Sequence, residues 1–196
     1  MVFLLLIGSY LLGNVLTGPI ISKSFHKGEI RKKGSGNPGA RNIGRLYGRK
    51  AFVLTFLGDA LKGALAVYAA KSLGFGPAIE LSALFFVILG HIYPIRFKFR
   101  GGKGVSTFIG GLLLINPLVF TVFVGLFIIL YAIMKSFTVA GLGAILLLPV
   151  ILLISSYNLP SIIIACFISG LVLLAHRENL KGKLFRRKER VNELRI

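Results

Sequence analysis

Long apolar runs recur along this chain from its second residue to residue 175. A helix needs about 20 such residues to cross a hydrocarbon core about 30 Å thick. Six runs meet or approach that length: Val2–Ile21, Ala51–Ala70, Ile79–Ile95, Leu118–Met134, Phe137–Ile154 and Leu159–Ala175. A seventh, Val105–Ile115, is shorter and runs into Asn116-Pro117. The 196 residues are 55% hydrophobic, with 24 glycines besides, which exceeds the apolar share of an ordinary soluble domain. The opening MVFLLLIGSYLLG has no positive n-region and reads as a retained first span, not a signal peptide.

Charge decides whether the short run crosses. Lys and Arg number 24 against 6 Asp and Glu, a formal +18. All cations but Lys62 and Lys71 fall in four segments: 23–50, 96–103, Lys135, and a tail from Arg177 to Arg195. Positive segments stay on the cytoplasmic side. All four reach that side only if Val105–Ile115 also crosses. The expectation is an all-α polytopic membrane protein with seven transmembrane helices, its N-terminus outside and its C-terminus cytoplasmic. Residues 1–196 then form a single integral membrane domain. The tail beyond Lys181 reads as a contact for anionic lipid and not as a nucleic-acid arm, because it follows a span directly.

Two cytoplasmic segments mix glycine with cations. The first runs Arg31-Lys-Lys-Gly-Ser-Gly-Asn-Pro-Gly-Ala-Arg-Asn42 and continues to Arg45; the second runs Phe99-Arg-Gly-Gly-Lys-Gly-Val-Ser-Thr107. Glycine lets a ligand approach backbone N–H groups, successive N–H groups form an anion nest, and Lys or Arg adds charge-assisted bonds. Taken singly, each loop is explained by turns and by topology. Two such loops on one face, with the polar cluster His176-Arg-Glu-Asn179 below them, favour a phosphate site. Gly34-Ser-Gly-Asn-Pro-Gly39 matches G-x-G-x-x-G but follows no strand, and Gly102-Lys103 lacks the Ser or Thr of a Walker A loop.

Other polar residues have plainer readings. Asp59 and Lys62, at i and i+3 inside a span, read chiefly as a neutralising pair, with Lys62 able to reach an anion instead. His91 suits a structural or a catalytic role equally, His26 reads as a solvated loop residue, and Cys166 is a lone residue in an apolar run. No His/Asp/Glu set has metal-ligand spacing, no nucleophile sits beside a base, and the His-x₄-Asp pattern of many glycerolipid acyltransferases is absent. What remains is positioning and electrostatics around phosphates.

Five motifs carry a resemblance: Ser35-Gly-Asn-Pro-Gly-Ala-Arg-Asn42, Asp59-Ala-Leu-Lys-Gly63, Gly90-His-Ile-Tyr-Pro94, Gly101-Gly-Lys-Gly-Val-Ser-Thr107 and His176-Arg-Glu-Asn179. In this order, over nearly the whole chain, they resemble the PlsY-type acyl-phosphate:glycerol-3-phosphate acyltransferases. The resemblance implies a seven-helix protein of the bacterial inner membrane with its site on the cytoplasmic side. It implies transfer of an acyl group from acyl phosphate to the 1-hydroxyl of glycerol 3-phosphate, giving lysophosphatidate and phosphate. No cofactor or metal is implied; the partners are the two substrates, membrane lipids and a soluble phosphate acyltransferase that makes the donor.

Carried over, the catalytic set is Ser35, Arg45, Lys103, His176 and Asn179. Gly36, Asn37, Gly39, Arg41, Asn42, Gly101, Gly102, Gly104, Ser106, Thr107 and Thr138 are expected to bind substrate or phosphate. Asp59, Lys62 and His91 are expected to support them. The chain departs from the family pattern at Arg41 (usually Thr), Asn14 (commonly Ser), and Thr138 and Gly141 (often two serines), which suggests a divergent branch. The competing readings are an organic-phosphate transporter or binding protein, and a structural membrane protein with a basic lipid-binding face.

Overall fold

The computed structural model describes residues 1–24 and 30–180. His26 and the tail beyond Lys181 lie outside the described residues. Nine α-helices occur among those described: α1 (Val2–Gly13), α2 (Thr17–Ser24), α3 (Ala40–Ser72), α4 (Pro77–Ile92), α5 (Val105–Ile115), α6 (Pro117–Met134), α7 (Phe137–Leu146), α8 (Leu148–Ile154) and α9 (Leu159–Ala175). Their ends follow local chemistry. Pro77 and Pro117 occupy first-turn positions, where a missing N–H costs nothing. The Asn116 side chain accepts from the Leu118 and Val119 amides, and Asn158 accepts from Ser161, satisfying donors that helix starts leave free.

Four segments are long and apolar enough to cross a membrane: Val2–Ser24, Ala40–Ser72, Pro77–Phe97 and Pro117–Met134. The bent pair α7 and α8 makes a fifth if counted as one span, and α5 and α9 are shorter apolar helices. The bounds of α5 and α9 coincide with the apolar runs in the sequence. Two other runs are not continuous helices. Val2–Ile21 breaks over residues 14–16 between α1 and α2, and Phe137–Ile154 bends by 43° at Leu147. Hydropathy does not register a backbone break that leaves no charge behind. α3 also starts well before its apolar run, so Arg41, Asn42 and Arg45 sit on helix and not in a loop. Gly48, at φ 85, separates this basic first part from the membrane part.

The tightest seam joins α3 and α5. A Cβ at Gly63 would collide with the Thr107 carbonyl oxygen, and one at Gly110 with that of Ala60. Backbones approach this closely in membranes only across small residues. α1 meets α4 in the same way, through Gly13 and Gly90. Around these seams lies one core, including Leu84, Ile88, Phe108, Leu112, Ile145, Leu148 and Ile168. A smaller cluster of Ile30, Ile43 and Ala51, backed by Ile21, Leu46 and Tyr47, anchors the start of α3 separately. Large apolar side chains such as Phe3, Leu118, Ile133 and Ile154 face outward, as in a protein surrounded by lipid.

Gly110→Val should therefore open the α3–α5 seam, with an overpacking cost of about 1–3 kcal/mol. Gly125→Ala, where a Cβ meets nothing within 4 Å, should be neutral. Thermal stability in detergent checks the pair, and equal melting temperatures for the two variants would contradict this packing.

Candidate active site

Loop geometry is set first by Asn42. From the first turn of α3 its Oδ1 accepts from the Ser35 amide at 3.0 Å, while its Nδ2 donates to the Lys33 carbonyl at 3.2 Å. Gly34 and Gly36 take positive φ values of 58 and 68 between these anchors, a conformation glycine adopts without strain. Asn37 Oδ1 accepts from the Gly39 amide at 2.7 Å and closes the turn into α3. The Gly36 amide donates to the Lys33 carbonyl.

The second loop is pinned to the end of α4. Gly101 N–H donates to the Ile92 carbonyl at 2.9 Å, and Gly102 N–H to that of His91 at 3.0 Å. Gly104, at φ 80, then turns the chain into α5. The amides of Ser35, Gly36, Gly39, Gly101 and Gly102 are thus spent inside the protein. That corrects the expected anion nest: these glycines bring chain segments together, and do not open amides to a ligand. The starts of α3 and α5 differ: Ala40, Arg41, Val105 and Ser106 all line one cavity. First-turn amides have no partner within a helix and suit anions.

That cavity has a volume of about 520 Å³. It gathers Ser35, Arg45, Lys103, His176 and Asn179 from four separated parts of the sequence. Asn37, Gly39, Arg41, Asn42, Gly104, Ser106 and Thr138 also line it, as do Asp59 and His91 from inside the bundle. Gly36, Gly101, Gly102, Lys62 and Thr107 do not line it. Thr107 is fully buried with its hydroxyl unpartnered, one helical step round from Ser106 and against Gly63. Its position makes it part of the α3–α5 seam, which corrects its expected place among the phosphate ligands.

Arg41 and Thr138, two departures from the family pattern, meet one another. Arg41 Nη1 donates to Thr138 Oγ1 at 2.8 Å and links the start of α3 to α7. Gly141, on the same helix, leaves open room where a Cβ would meet only Phe127 at 3.9 Å. Asn14 also has a definite role, its Oδ1 accepting from the Ile95 amide at 2.6 Å. Sequence reasoning did not single out the apolar lining, Phe52, Phe56, Ile109, Phe137, Leu142 and Ile145, and gave Glu178 no role beyond its place in the His176–Asn179 cluster.

Two titratable groups of the cavity, Lys103 and His176, are shifted in the same direction and chiefly by burial. Burial, with Arg41 nearby as a lesser cause, holds the Lys103 ammonium below the usual lysine range. Burial also holds His176 below the usual histidine range; the bond to Val172 opposes this, and Lys103 adds to it. His176 Nδ1 lies 2.8 Å from the Val172 carbonyl, so Nδ1 carries the proton and Nε2 is the free acceptor. Among the described residues no three His, Cys, Asp or Glu side chains come together as metal ligands would.

Fold and cavity together define a helical integral membrane protein in which Arg41, Arg45 and Lys103 meet in one chamber. The family described as glycerol-3-phosphate acyltransferase matches residues 3–186. Glycerol-3-phosphate acyltransferase 1 of Bacillus cereus is 49% identical over 178 residues, covering 91% of this chain and 98% of the relative. The protein of the same name from Desulfitobacterium hafniense is 36% identical over 186 residues, covering 95% and 92%. The crystal structure of PlsY, an integral membrane glycerol 3-phosphate acyltransferase, in its glycerol 3-phosphate form superposes with a TM-score of 0.85 at 32% identity. That match covers 95% of this chain and 93% of PlsY. The lysophosphatidic acid form gives 0.83 at 33% identity, with the same coverage. The chain belongs to the glycerol-3-phosphate acyltransferase family. That membership replaces the transporter and structural-protein readings.

A lowered pKa means that His176 is more than half neutral at pH 6.5, where an ordinary histidine is half protonated. Nitrogen-15 NMR of histidine-labelled protein should show the Nδ1–H tautomer of His176 as the major form at pH 6.5, with its midpoint below that pH. Half-protonation at or above pH 6.5 would contradict this environment.

Proposed function

We infer that this chain transfers an acyl group from acyl phosphate to the 1-hydroxyl of glycerol 3-phosphate, releasing lysophosphatidate and inorganic phosphate. The observation that carries the reading is the single cavity that brings Ser35, Arg45, Lys103, His176 and Asn179 together above an apolar lining. Three cations, Arg41, Arg45 and Lys103, provide charge for two phosphates. Phe52, Phe56, Phe137 and Ile145 provide a surface for the first carbons of the acyl chain.

In the proposed reaction the hydroxyl oxygen attacks the carbonyl carbon of the donor. The carbon–oxygen bond to phosphate breaks, and the departing phosphate takes the hydroxyl proton. Ser35, beside the start of α3, and the cations Arg45 and Lys103 hold the donor phosphate and offset its developing charge. Neutral His176 accepts a hydrogen bond at Nε2 from the glycerol backbone, and Asn179 helps to orient it. No side chain becomes acylated.

The same reading makes the chain one domain with seven spans in the bacterial inner membrane, the cavity facing the cytoplasm. What supports α5 as a span is antiparallel geometry. Lys103–Ser106, at its start, and Phe137–Thr138, just past the end of α6, line the same cavity. α5 and α6 therefore run out and back. The 11 residues of α5 cover only about 17 Å at 1.5 Å each, and its burial against α3 and α4 shelters its ends. Anionic lipids and a soluble enzyme that makes acyl phosphate complete the proposed partners.

The test supplies purified protein with glycerol 3-phosphate and, in turn, acyl phosphate or acyl-CoA. Lysophosphatidate and phosphate should form with acyl phosphate alone; product formed only from acyl-CoA would overturn the donor assignment. Ser35→Ala and Lys103→Ala should each lower turnover by about 10²–10³-fold, and full activity in both would overturn the site.

A further inference from the structure

Lys62 is 4% exposed in the middle of α3, yet its ammonium has more acceptors than protons. Nζ lies 3.1 Å from Asp59 Oδ1, 3.2 Å from the Gly13 carbonyl, 2.9 Å from the Val15 carbonyl and 2.7 Å from His91 Nδ1. An ammonium has three donors, so none is left for a ligand. The two carbonyls are those freed where α1 breaks before α2. Because Lys62 is the donor, His91 Nδ1 is the acceptor, and the ring proton sits on Nε2 at the opposite edge.

That opposite edge faces the second glycine loop. A Cβ at Gly102 would collide with His91 Nε2, with Cε1 at 2.8 Å and Cδ2 at 2.9 Å. The Gly102 amide also bonds the His91 carbonyl. Gly102 does not have the positive φ that favours glycine, so closeness to the ring, and not backbone conformation, excludes a side chain here. The next residue is Lys103, which enters the cavity.

We propose that His91 is a positioning residue: held at Nδ1 by Lys62, which Asp59 holds in turn, its imidazole is the surface on which Gly102 rests, and it sets where Lys103 meets a substrate phosphate. The imidazole acts through the loop and leaves Lys62 no part in binding phosphate. A displacement of about 1 Å at such a cation is enough to cost about 10²-fold in rate. The inference rests on the acyltransferase reading for its readout, and the wild-type protein keeps the two separable.

The experiment is a double-mutant cycle of His91→Asn and Gly102→Ala, with turnover by wild type measured in the same preparation. Asparagine keeps an acceptor near the Nδ1 position for Lys62 but removes the far edge of the ring. Each single variant should stay folded by thermal melting and lose about 10–100-fold in kcat/KM, a fall within the range cited above. The double variant should recover at least tenfold over Gly102→Ala, because the shorter side chain leaves room for the new methyl group. Multiplying losses in the double variant would overturn the proposal, as would full activity in His91→Asn. If Gly102→Ala alone fails to fold, its melting transition should return in the double variant, and no return would overturn the proposal equally. Absence of turnover in wild type would instead count against the acyltransferase reading.

Discussion

The fold depends on one buried ammonium. Lys62 joins α3 to the broken end of α1 through the Gly13 and Val15 carbonyls and to α4 through His91, with Asp59 balancing its charge. A charge in this setting is tolerable only when fully paired and hydrogen-bonded. The pairing therefore ties α1 to α3, which follows the first glycine loop, and to α4, which precedes the second. The α1 break would otherwise leave carbonyls unsatisfied in an apolar interior. The same break exposes Asn14, which holds the Ile95 amide where the chain leaves α4.

From that hub the cavity is built by close approaches. Glycines at 13, 63, 90 and 110 let backbones touch, and those at 101 and 102 lay the second loop against α4. Asn42 performs the equivalent task for the first loop by holding Ser35 and Lys33. The outcome is an economy of amides. Loop N–H groups serve the fold, while side-chain cations and two helix starts face the chamber. An apolar shelf from α3, α5 and α7 lies beside them, so one chamber meets both a lipid tail and a phosphorylated polyol.

Much of this was legible in the residues. The apolar runs located the helices, and α5 and α9 match them in their bounds. The family resemblance carried by five ordered motifs pointed to the residues that the chamber gathers from positions 35, 45, 103, 176 and 179. What was not legible has a common physical cause. Hydropathy is blind to the break over 14–16 and the bend at Leu147, because neither introduces a charge. Motif spacing is blind to hydrogen-bond direction, so the amides of Gly101 and Gly102 were assigned to a ligand and belong to the end of α4. Thr107 lies one helical step from Ser106, and that step carries it out of the chamber into the seam with Gly63. The contact of Arg41 with Thr138 joins positions 97 residues apart, beyond the reach of any local pattern.

The central claim is direct transfer between two substrates held in one chamber, with no acylated side chain. Rapid quench of the protein with labelled acyl phosphate, in the absence of glycerol 3-phosphate, tests it most directly. The account predicts no stoichiometric burst of phosphate and no acyl label on the protein, with both products appearing together once glycerol 3-phosphate is added. A phosphate burst matched by acylated protein would contradict it.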